Sequence, residues 1–400
     1  MDFSLTEDQV AVQQLAAQIL GQEVTTGYLA EIEKRGERYD PELWGKLAQA
    51  GLLGVAIDEA HGGMGFDFET LCLLITEVGR TLAPVPVVPV LTGALTLQQF
   101  AGPQQRDRWL PGIATGELLV TTALTEPGSD DPHAPAAVLQ PGDDGWLLEG
   151  HKHMVVAADR SAVVLLGARC GDELVLLAVD PGADGVSLAR QQVTTGEPQF
   201  ALAFDAVRVN EGNIVARGPE ARRALQFLTQ HTLAATAFMA LGVMEEMVRL
   251  TAGYTAERHQ FGRPIATFQA VSHRAADAYI DVENLRLTCQ QAASLLSSEA
   301  DATEAVAIAK IWACDVAHRV SQSAQHLHGG IGVDRDYPLF RYCLWAKQLE
   351  LTLGGGSAWL MQLGDALAEG FKNKRVTRES TVVAAFSAGD EQSNGNAVSR

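Results

Sequence analysis

The sequence is poor in cysteine, has fewer basic than acidic residues, and lacks an uninterrupted apolar run of membrane-spanning length. Its 5 cysteines are widely scattered, without the CxxC pairs of a zinc site or a redox disulfide, so we expect reduced thiols and no metal site. The 30 basic residues face 49 acidic ones, and a net charge of −19 repels nucleic acid and anionic lipid. Apolar stretches such as 233–244 fall short of the roughly 20 residues that cross a bilayer.

The N-terminal residues 1–10 are acidic and polar, and they lack the basic region and apolar segment of a secretory signal. We therefore expect a cytoplasmic protein with no nucleic-acid and no membrane partner. The hydrophobic fraction of 47% is ample for a large core. The length predicts roughly two to three domains.

Hydrophobic periodicity separates a helical first part from a β-rich middle. Residues 1–116 have helical spacing, and Pro41 sits at the first turn of one predicted helix. The glycine-rich segment 61–65 predicts a plain turn, because no GK[ST] follows as in a phosphate loop. Residues 117–217 have the pattern of strands, which predicts an antiparallel β domain. Turn signals divide these strands at 141–145, 170–172 and 181–185.

The last part of the chain is helical again, over 218–385. The apolar seam of its longest predicted helix alternates steps of four and three, as in a bundle helix that packs on both neighbours. That seam consists of Val271, Ala275, Ala278, Val282, Leu285, Cys289, Ala292 and Leu296. Residues 386–400 are rich in Ser, Asn, Gly and charge, which predicts a disordered tail.

Three runs of sequence carry a family resemblance. They are TALTEPGSD at 122–130, RHQFGRPI at 258–265 with Phe268-Gln269 after it, and HLHGGIG at 326–332. Their order and spacing resemble the acyl-CoA dehydrogenase family over nearly the whole chain. The resemblance implies an α+β fold with an N-terminal helical domain, a middle antiparallel β domain and a C-terminal four-helix bundle. It also implies desaturation of an acyl-CoA: a carboxylate removes the α proton while the β hydride moves to FAD.

The same resemblance implies a set of FAD contacts. Arg258 would pair with the pyrophosphate, since a planar guanidinium suits phosphate oxygens. His326 stands where many family members have Gln, so it either donates one hydrogen bond to the cofactor or is a satisfied core histidine. The other implied contacts are Phe261 and Gln269 at the adenosine half, Gly329 and Gly330 at the adenine end, Leu124, Thr125 and Ser129 on the flavin side, and Gly355.

The sequence departs from the family around the flavin ring. Counting without gaps puts the usual catalytic glutamate at Leu353 and the alternative one at Thr232, and neither side chain is a base. The family's tryptophan and threonine beside the ring are replaced by Met154 and Val156. Val156 lacks the hydroxyl that bonds the flavin, and Met154 gives a softer wall. The altered positions therefore cluster at a single site.

This division between intact and altered positions predicts a helper subunit. In the family, the runs at 258–265 and 326–332 reach across a dimer interface to FAD seated in the neighbouring subunit. The resemblance implies a base-less subunit of a heteromeric dehydrogenase, with a homologous subunit in a heterotetramer, and otherwise a homotetramer or homodimer. The stretch 341–356 is similar to that of bacterial enzymes that act on bulky CoA thioesters, including steroid side chains.

Two alternatives stay open on the sequence alone. The chain could be a self-sufficient dehydrogenase with a relocated base, for which His231 and Glu350 are the nearest titratable residues. On a helix, however, His231 points about 100° away from its neighbour Thr232. The chain could instead be a non-catalytic, DNA-associated or stress-response flavoprotein. Its basic residues near the C-terminus are few against a charge of −19: Lys372, Lys374, Arg375 and Arg378.

Overall fold

The structure is a computed structural model that describes residues 3–129, 131–142 and 145–368. Its first part is helical, as predicted. Thr6 begins the first helix with a capping box to Gln9, and Asp40 caps the third helix, where Pro41 occupies the first turn. The helices are α1 (Glu7–Glu23), α2 (Thr26–Arg35), α3 (Pro41–Gln49), α4 (Phe68–Thr81), α5 (Val87–Phe100) and α6 (Pro103–Ala114).

The glycine-rich segment between α3 and α4 is a tight turn, which confirms the prediction. Gly62 has a φ of 84° and Gly65 a φ of 69°, both in the left-handed region. At Gly63 an added Cβ would lie 2.0 Å from the carbonyl oxygen of Ile57. The glycines are thus needed for the fold of the turn itself.

The middle of the chain forms a sheet with the spatial order β6-β7-β3-β2-β4-β5-β8, and β1 pairs with β4. The predicted turns at 170–172 and 181–185 separate consecutive strands, and the centre of the one predicted at 141–145 lies outside the described residues. The strands are β1 (Val120–Ala123), β2 (Val138–Gly142), β3 (Gly145–Val156), β4 (Val163–Cys170), β5 (Glu173–Val179), β6 (Val186–Gln191), β7 (Gln199–Val209) and β8 (Ile214–Arg217).

The predicted middle β domain is confirmed and most of its strand pairs are antiparallel, but β4 pairs in parallel with β1 and with β2. β1 runs parallel to β4, with Val120 opposite Val163, and Val138 of β2 also pairs in parallel with Arg169 of β4. Parallel neighbours need a long connection, and the β2–β3 hairpin lies between β1 and β4 in the chain. Strand periodicity contains no information on this pairing direction, which is why the sequence could not predict it.

The C-terminal part packs three helices against a central one. The central helix α7 contacts α8, α9 and α10 and also α4 and α5 of the first part. These elements are α7 (Gly218–Glu257), the short strands β9 (His259–Gln260) and β10 (Arg263–Pro264), α8 (Gln269–Ser297), α9 (Thr303–His328) and α10 (Leu339–Leu351). The seam predicted for α8 is buried from Ala278 to Leu296, whereas Val271 and Ala275 are half-buried.

Helix α7 is long and apolar enough to cross a membrane by length and composition, but 89% of its most apolar window is buried inside the protein. It crosses α4 at a point where both helices have glycine. An added Cβ would lie 2.2 Å from Met239 O at Gly79 and 2.0 Å from Thr76 O at Gly242. This close approach fixes the position of α7 against α4, and with it the positions of Thr232 and Met239.

Residues Met1–Gly356 form one compact unit, and Ser357–Arg400 form a second, in which 357–368 is helical. The boundaries proposed at 116/117 and 217/218 stay a prediction of organisation within the first unit. The predicted tail 386–400 and the end of the predicted bundle domain lie outside the described residues. The basic residues between 372 and 378 lie outside them as well.

A buried ion pair joins the segment after β1 to strand β3. Lys152 Nζ lies 2.5 Å from Glu126 Oε1, and the side chains are 2% and 6% exposed. Glu126 also accepts hydrogen bonds from the amides of Ala136 and Ala137. Burial raises the pKa of Glu126, but Lys152 and the two amides outweigh burial and lower the pKa overall. The carboxylate is thus ionised and fully compensated.

Replacing Lys152 with Met should lower the free energy of unfolding by about 3–5 kcal/mol, because the buried carboxylate of Glu126 loses its partner. Urea unfolding followed by far-UV circular dichroism measures the loss. The control Lys46→Met breaks the more exposed pair with Glu23, 2.7 Å long. It should cost about 1 kcal/mol or less. Equal losses in both variants would mean that the buried pair does not hold the segment after β1.

Candidate active site

A cavity of about 360 Å³ lies where the sheet meets α5, α7 and the end of α10. Most of its wall is apolar. It brings together six of the residues that the sequence assigned to the flavin ring and the base: Leu124 and Thr125 after β1, Met154 and Val156 on β3, Thr232 on α7, and Leu353 after α10. Ser129 and Gly355 do not line it. The residues judged to be altered therefore share one site.

Both positions that the resemblance assigns to a base face this cavity, and neither side chain there can accept a proton. The hydroxyl of Thr232 lies 2.7 Å from Leu228 O, the bond a helical threonine makes to its own preceding turn, and 3.2 Å from Thr92 Oγ1. Leu353 has a φ of 55°, in the left-handed region. Leu353 thus adopts a backbone conformation that is uncommon for a residue with a side chain, in the turn that follows α10.

A buried lysine holds the end of α10 in place beside Leu353. Lys310 Nζ donates to Leu349 O at 2.9 Å and to Glu350 O at 3.3 Å, and the side chain is fully buried. A cation suits the unpaired carbonyls at a helix C-terminus. Burial lowers the pKa of Lys310. The position of Leu353 thus depends on a contact from α9. Lys310, which makes this contact, lies in none of the three sequence runs that carry the family resemblance.

The polar groups at the ring site are already engaged. The Thr125 hydroxyl donates to His153 O at 2.7 Å, and the Met154 amide donates to Gln191 Oε1 at 2.7 Å. Val156 has no hydroxyl, and its carbonyl accepts from Thr121 Oγ1 at 2.6 Å. Within the described part of the chain, this wall therefore offers an incoming flavin ring few free donors.

Neither residue suggested as a relocated base reaches the cavity. The His231 ring stacks on Phe227 at 3.8 Å, and its Nδ1 lies 2.8 Å from Phe227 O. Burial lowers the pKa of His231 to about 4, so it is a neutral core residue at neutral pH. Glu350 Oε2 lies 2.5 Å from Lys347 Nζ and 3.9 Å from His318 Nδ1. The suggestion that either residue is the base therefore stays a prediction, and these contacts do not favour it.

The structure places a carboxyl group on the cavity wall that the sequence analysis missed. Glu197 lies in the loop before β7, and its Oε2 accepts from Gln199 Nε2 at 2.7 Å and from Gln348 Nε2 at 2.6 Å. Burial raises its pKa, while the two amides and the charge of Arg38 oppose the rise. No motif marks this loop, and only its contact with α10 reveals Glu197 as a candidate.

The residues implied to contact the pyrophosphate and adenosine half of FAD lie on the surface and do not line the cavity. Arg258, Phe261 and Gln269 are all exposed, and Phe261 is 91% exposed at the tip of the β9–β10 hairpin. A phenylalanine so exposed at a tight turn, where its own φ is 55°, points to a contact outside the chain. No ion pair engages Arg258 within the described residues.

The second surface run lies beside this hairpin. Tyr254, near the end of α7, stacks on His328 at a ring distance of 4.5 Å, so the ends of α7 and α9 are neighbours. Gly329 ends α9 with φ 63° and ψ −138°, and an added Cβ at Gly329 or Gly330 would meet nothing within 4 Å. His326 is exposed. The suggestion of a core histidine was therefore wrong for His326, and His328 is the buried one.

Comparison with known proteins assigns the family. The models for the N-terminal and C-terminal domains of acyl-CoA dehydrogenases match residues 6–117 and 222–367. The chain is 35% identical over 378 residues to acyl-CoA dehydrogenase FadE27 of Mycobacterium tuberculosis, an alignment that covers 92% of this chain and 99% of that protein. The chain therefore belongs to the acyl-CoA dehydrogenase family, whose members are FAD-dependent oxidoreductases.

Two solved structures are similar over nearly their full length. One is a variant of the Tcur3481-Tcur3483 steroid ACAD, with 41% identity and a TM-score of 0.85, covering 92% of this chain and 99% of that one. The other is the ChsE4-ChsE5 complex from Mycobacterium tuberculosis, with 33% identity, a TM-score of 0.87 and the same coverage. Both are named as pairs of proteins.

The buried histidine beside Thr232 gives a prediction for stability against pH. The pKa of His231 is about 4 in the folded protein against an ordinary 6.5, so only the unfolded chain binds its proton between these values. Wild type should therefore lose about 3 kcal/mol relative to His231→Phe as pH falls from 6.5 to 4, with no further relative loss below. Urea unfolding of both proteins across this range measures the difference. A difference independent of pH would contradict the burial of a neutral histidine.

Proposed function

We propose that this chain is the base-less subunit of a heteromeric, FAD-dependent acyl-CoA dehydrogenase. A homologous subunit supplies the catalytic carboxylate, and this chain supplies FAD contacts across the interface. One observation carries the proposal: Leu353 and Thr232 occupy both base positions in one apolar cavity, while the Arg258 and Gly329 runs are intact and exposed.

The residues on the surface fit the phosphate and adenosine half of FAD. Arg258 offers a planar guanidinium free of ion pairs among the described residues, which suits a pyrophosphate. Gly329 and Gly330 leave open space where a side chain would block the approach of a cofactor. The ring wall of the chain's own cavity fits the flavin poorly, because the Met154 amide and the Thr125 hydroxyl are engaged.

The proposed roles of the two subunits follow from the side chains that each one offers. When bound, FAD accepts the β hydride of the acyl-CoA. Removal of the α proton needs a base within hydrogen-bond reach of the α carbon, and Leu353 and Thr232 do not supply one. Two surface elements would instead orient the cofactor in the partner's site. They are the β9–β10 hairpin, which carries Phe261, and the C-terminal end of α9.

The names of similar structures support this proposal and suggest the substrate class. One is a steroid ACAD named as a pair of proteins, and another is a complex of two. We propose an acyl-CoA with a bulky, steroid-like acyl group as the substrate of the assembly. We also propose a cytoplasmic location for this assembly.

Native mass spectrometry of the chain expressed alone and with a homologue encoded nearby tests this assignment. Alone, the chain should bind little FAD, because the Thr125 hydroxyl and the Met154 amide on its ring wall are engaged within the chain. With the partner, it should form a mixed assembly that contains fewer flavins than chains. Arg258→Gln should lower flavin occupancy without changing the mass of the protein assembly, whereas the exposed control Arg223→Gln should leave occupancy unchanged. A homotetramer fully loaded with FAD and reduced by acyl-CoA would overturn the proposal.

A second candidate function rests on Glu197. Its carboxyl group lines the cavity, and burial raises its pKa. In this alternative the chain is a homomeric dehydrogenase with a relocated base. The amides of Gln199 and Gln348 tie Oε2 to the wall, which favours a structural role and makes this candidate second.

Glu197→Gln separates the two candidates in the chain expressed alone. If Glu197 is the base, stopped-flow reduction of bound flavin by acyl-CoA should slow by about 10²- to 10⁴-fold, the usual worth of a positioned base. Glu350→Gln is the matched control, because Glu350 itself does not line the cavity and its carboxyl pairs with Lys347. Unchanged flavin reduction in Glu197→Gln would exclude this second candidate.

A further inference from the structure

The loop between α9 and α10 is closed on itself by one side-chain hydrogen bond. His328 is the last residue of α9, and the short 3₁₀ helix Gly329–Val333 follows it. Tyr337, two residues before α10, returns to the start of the loop, where its hydroxyl oxygen lies 3.1 Å from His328 Nε2. The exposed turn at Gly329 and Gly330 therefore lies inside a closed loop.

The donor and the acceptor of this bond are both defined. His328 Nδ1 lies 2.8 Å from Ala324 O, and because a carbonyl oxygen only accepts, Nδ1 carries the ring proton. Nε2 of the neutral ring is then the acceptor, and the Tyr337 hydroxyl donates to it. Burial lowers the pKa of His328, against the opposing effect of the bond to Ala324, and so favours this neutral ring. Both ring nitrogens are thus satisfied in a single orientation of the ring.

Packing holds the same ring from two further sides. The Tyr254 ring, near the end of α7, stacks on His328 with an angle of 18° between the ring planes. At Gly332 an added Cβ would lie 3.2 Å from the Cβ of His328, so the chain folds back closely over this residue. The next residue, Gly329, has a φ of 63°, in the left-handed region that favours glycine. The turn therefore begins directly at a buried side chain that is fixed on all these sides.

Backbone hydrogen bonds connect the other end of the loop to the turn. The amide of Tyr337 donates to Asp334 O at 3.2 Å, and the amide of Asp334 donates to Ile331 O at 3.1 Å. A bonded path therefore runs from Ile331 to Tyr337 and from there to His328. Compact surface loops whose ends lie close together are packed by their own side chains and are frequently functional. Loss of the Tyr337 hydroxyl would thus release the turn from one of its two anchors.

We propose that His328 and Tyr337 are positioning residues for FAD, and that their hydrogen bond holds the turn at Gly329 and Gly330 ready for the cofactor in the partner's site. This inference rests on the proposed function, which places the turn at the adenosine half of FAD. The two side chains act through the turn and not by contact with the cofactor. A binding element that is held in place before its ligand arrives loses less freedom on binding, and its affinity is higher for that reason.

Hydrogen exchange of the full chain expressed alone, followed by mass spectrometry, tests the first half of this proposal. Tyr337→Phe removes the hydroxyl and keeps the ring. Its matched control is Tyr342→Phe, which removes a hydroxyl bond of 2.8 Å to Arg80 O, between α10 and α4 and outside the loop. The amides of residues 329–333 should exchange faster in Tyr337→Phe than in wild type or in Tyr342→Phe, because the loop opens locally. Unchanged exchange in Tyr337→Phe would overturn the proposal, whatever partner the chain has.

The rate of FAD release from the assembly that holds it, followed by flavin fluorescence after dilution, tests the second half. Tyr337→Phe should release FAD about fivefold faster than wild type, the usual effect of one hydrogen bond. Tyr342→Phe also loses one tyrosine hydrogen bond, so a purely structural effect would appear in both variants. Equal release rates in the two variants, or faster exchange without faster release, would refute the positioning role. If only a homotetramer holds FAD, the base-less role fails, and the same comparison on the homotetramer still decides this inference; if no assembly holds FAD, both fail.

Discussion

The buried pair between Glu126 and Lys152 holds the two halves of the cavity wall together. Glu126 follows Leu124 and Thr125, and Lys152 precedes Met154 and Val156 on β3. Their contact at 2.5 Å, with the amides of Ala136 and Ala137, joins the irregular segment after β1 to a regular strand. A buried pair tolerates little displacement, because separation leaves two uncompensated charges. The wall is thus fixed even though its own side chains are altered.

The loss of a base at Leu353 is also consistent with the energetics of the cavity. A carboxylate there would be desolvated among apolar side chains, and burial of an unpaired charge is costly. Glu197 shows the condition under which this fold keeps a carboxyl at the same wall: two side-chain amides and a nearby arginine compensate it. Leucine at position 353 avoids this cost of burying a charge without partners.

The sequence predicted the fold well where local signals exist. Pro41 after the cap Asp40, the turn at 170–172 and the buried seam of α8 all follow from short-range rules. It could not predict the parallel pairing of β1 with β4, because pairing direction depends on contacts distant in the chain. For the same reason it placed Leu353, Thr232, Met154 and Val156 in one site only through the family resemblance. Glu197 and Lys310 were missed, since their roles depend on contacts with α10.

Trp345 lines both the candidate active site and a smaller cavity of about 180 Å³ beside α2. Its indole ring carries the Arg38 guanidinium on one side, while the residue also lines the cavity that contains Leu353. The loop 193–197 is shared as well, with Val193 and Thr194 on both walls and Glu197 on the larger one. Arg38, which lies over the Trp345 ring, lines the smaller cavity, and its charge opposes the rise that burial causes in the pKa of Glu197 on the larger one. The electrostatics of the candidate active site therefore depend on an arginine that lies outside its wall.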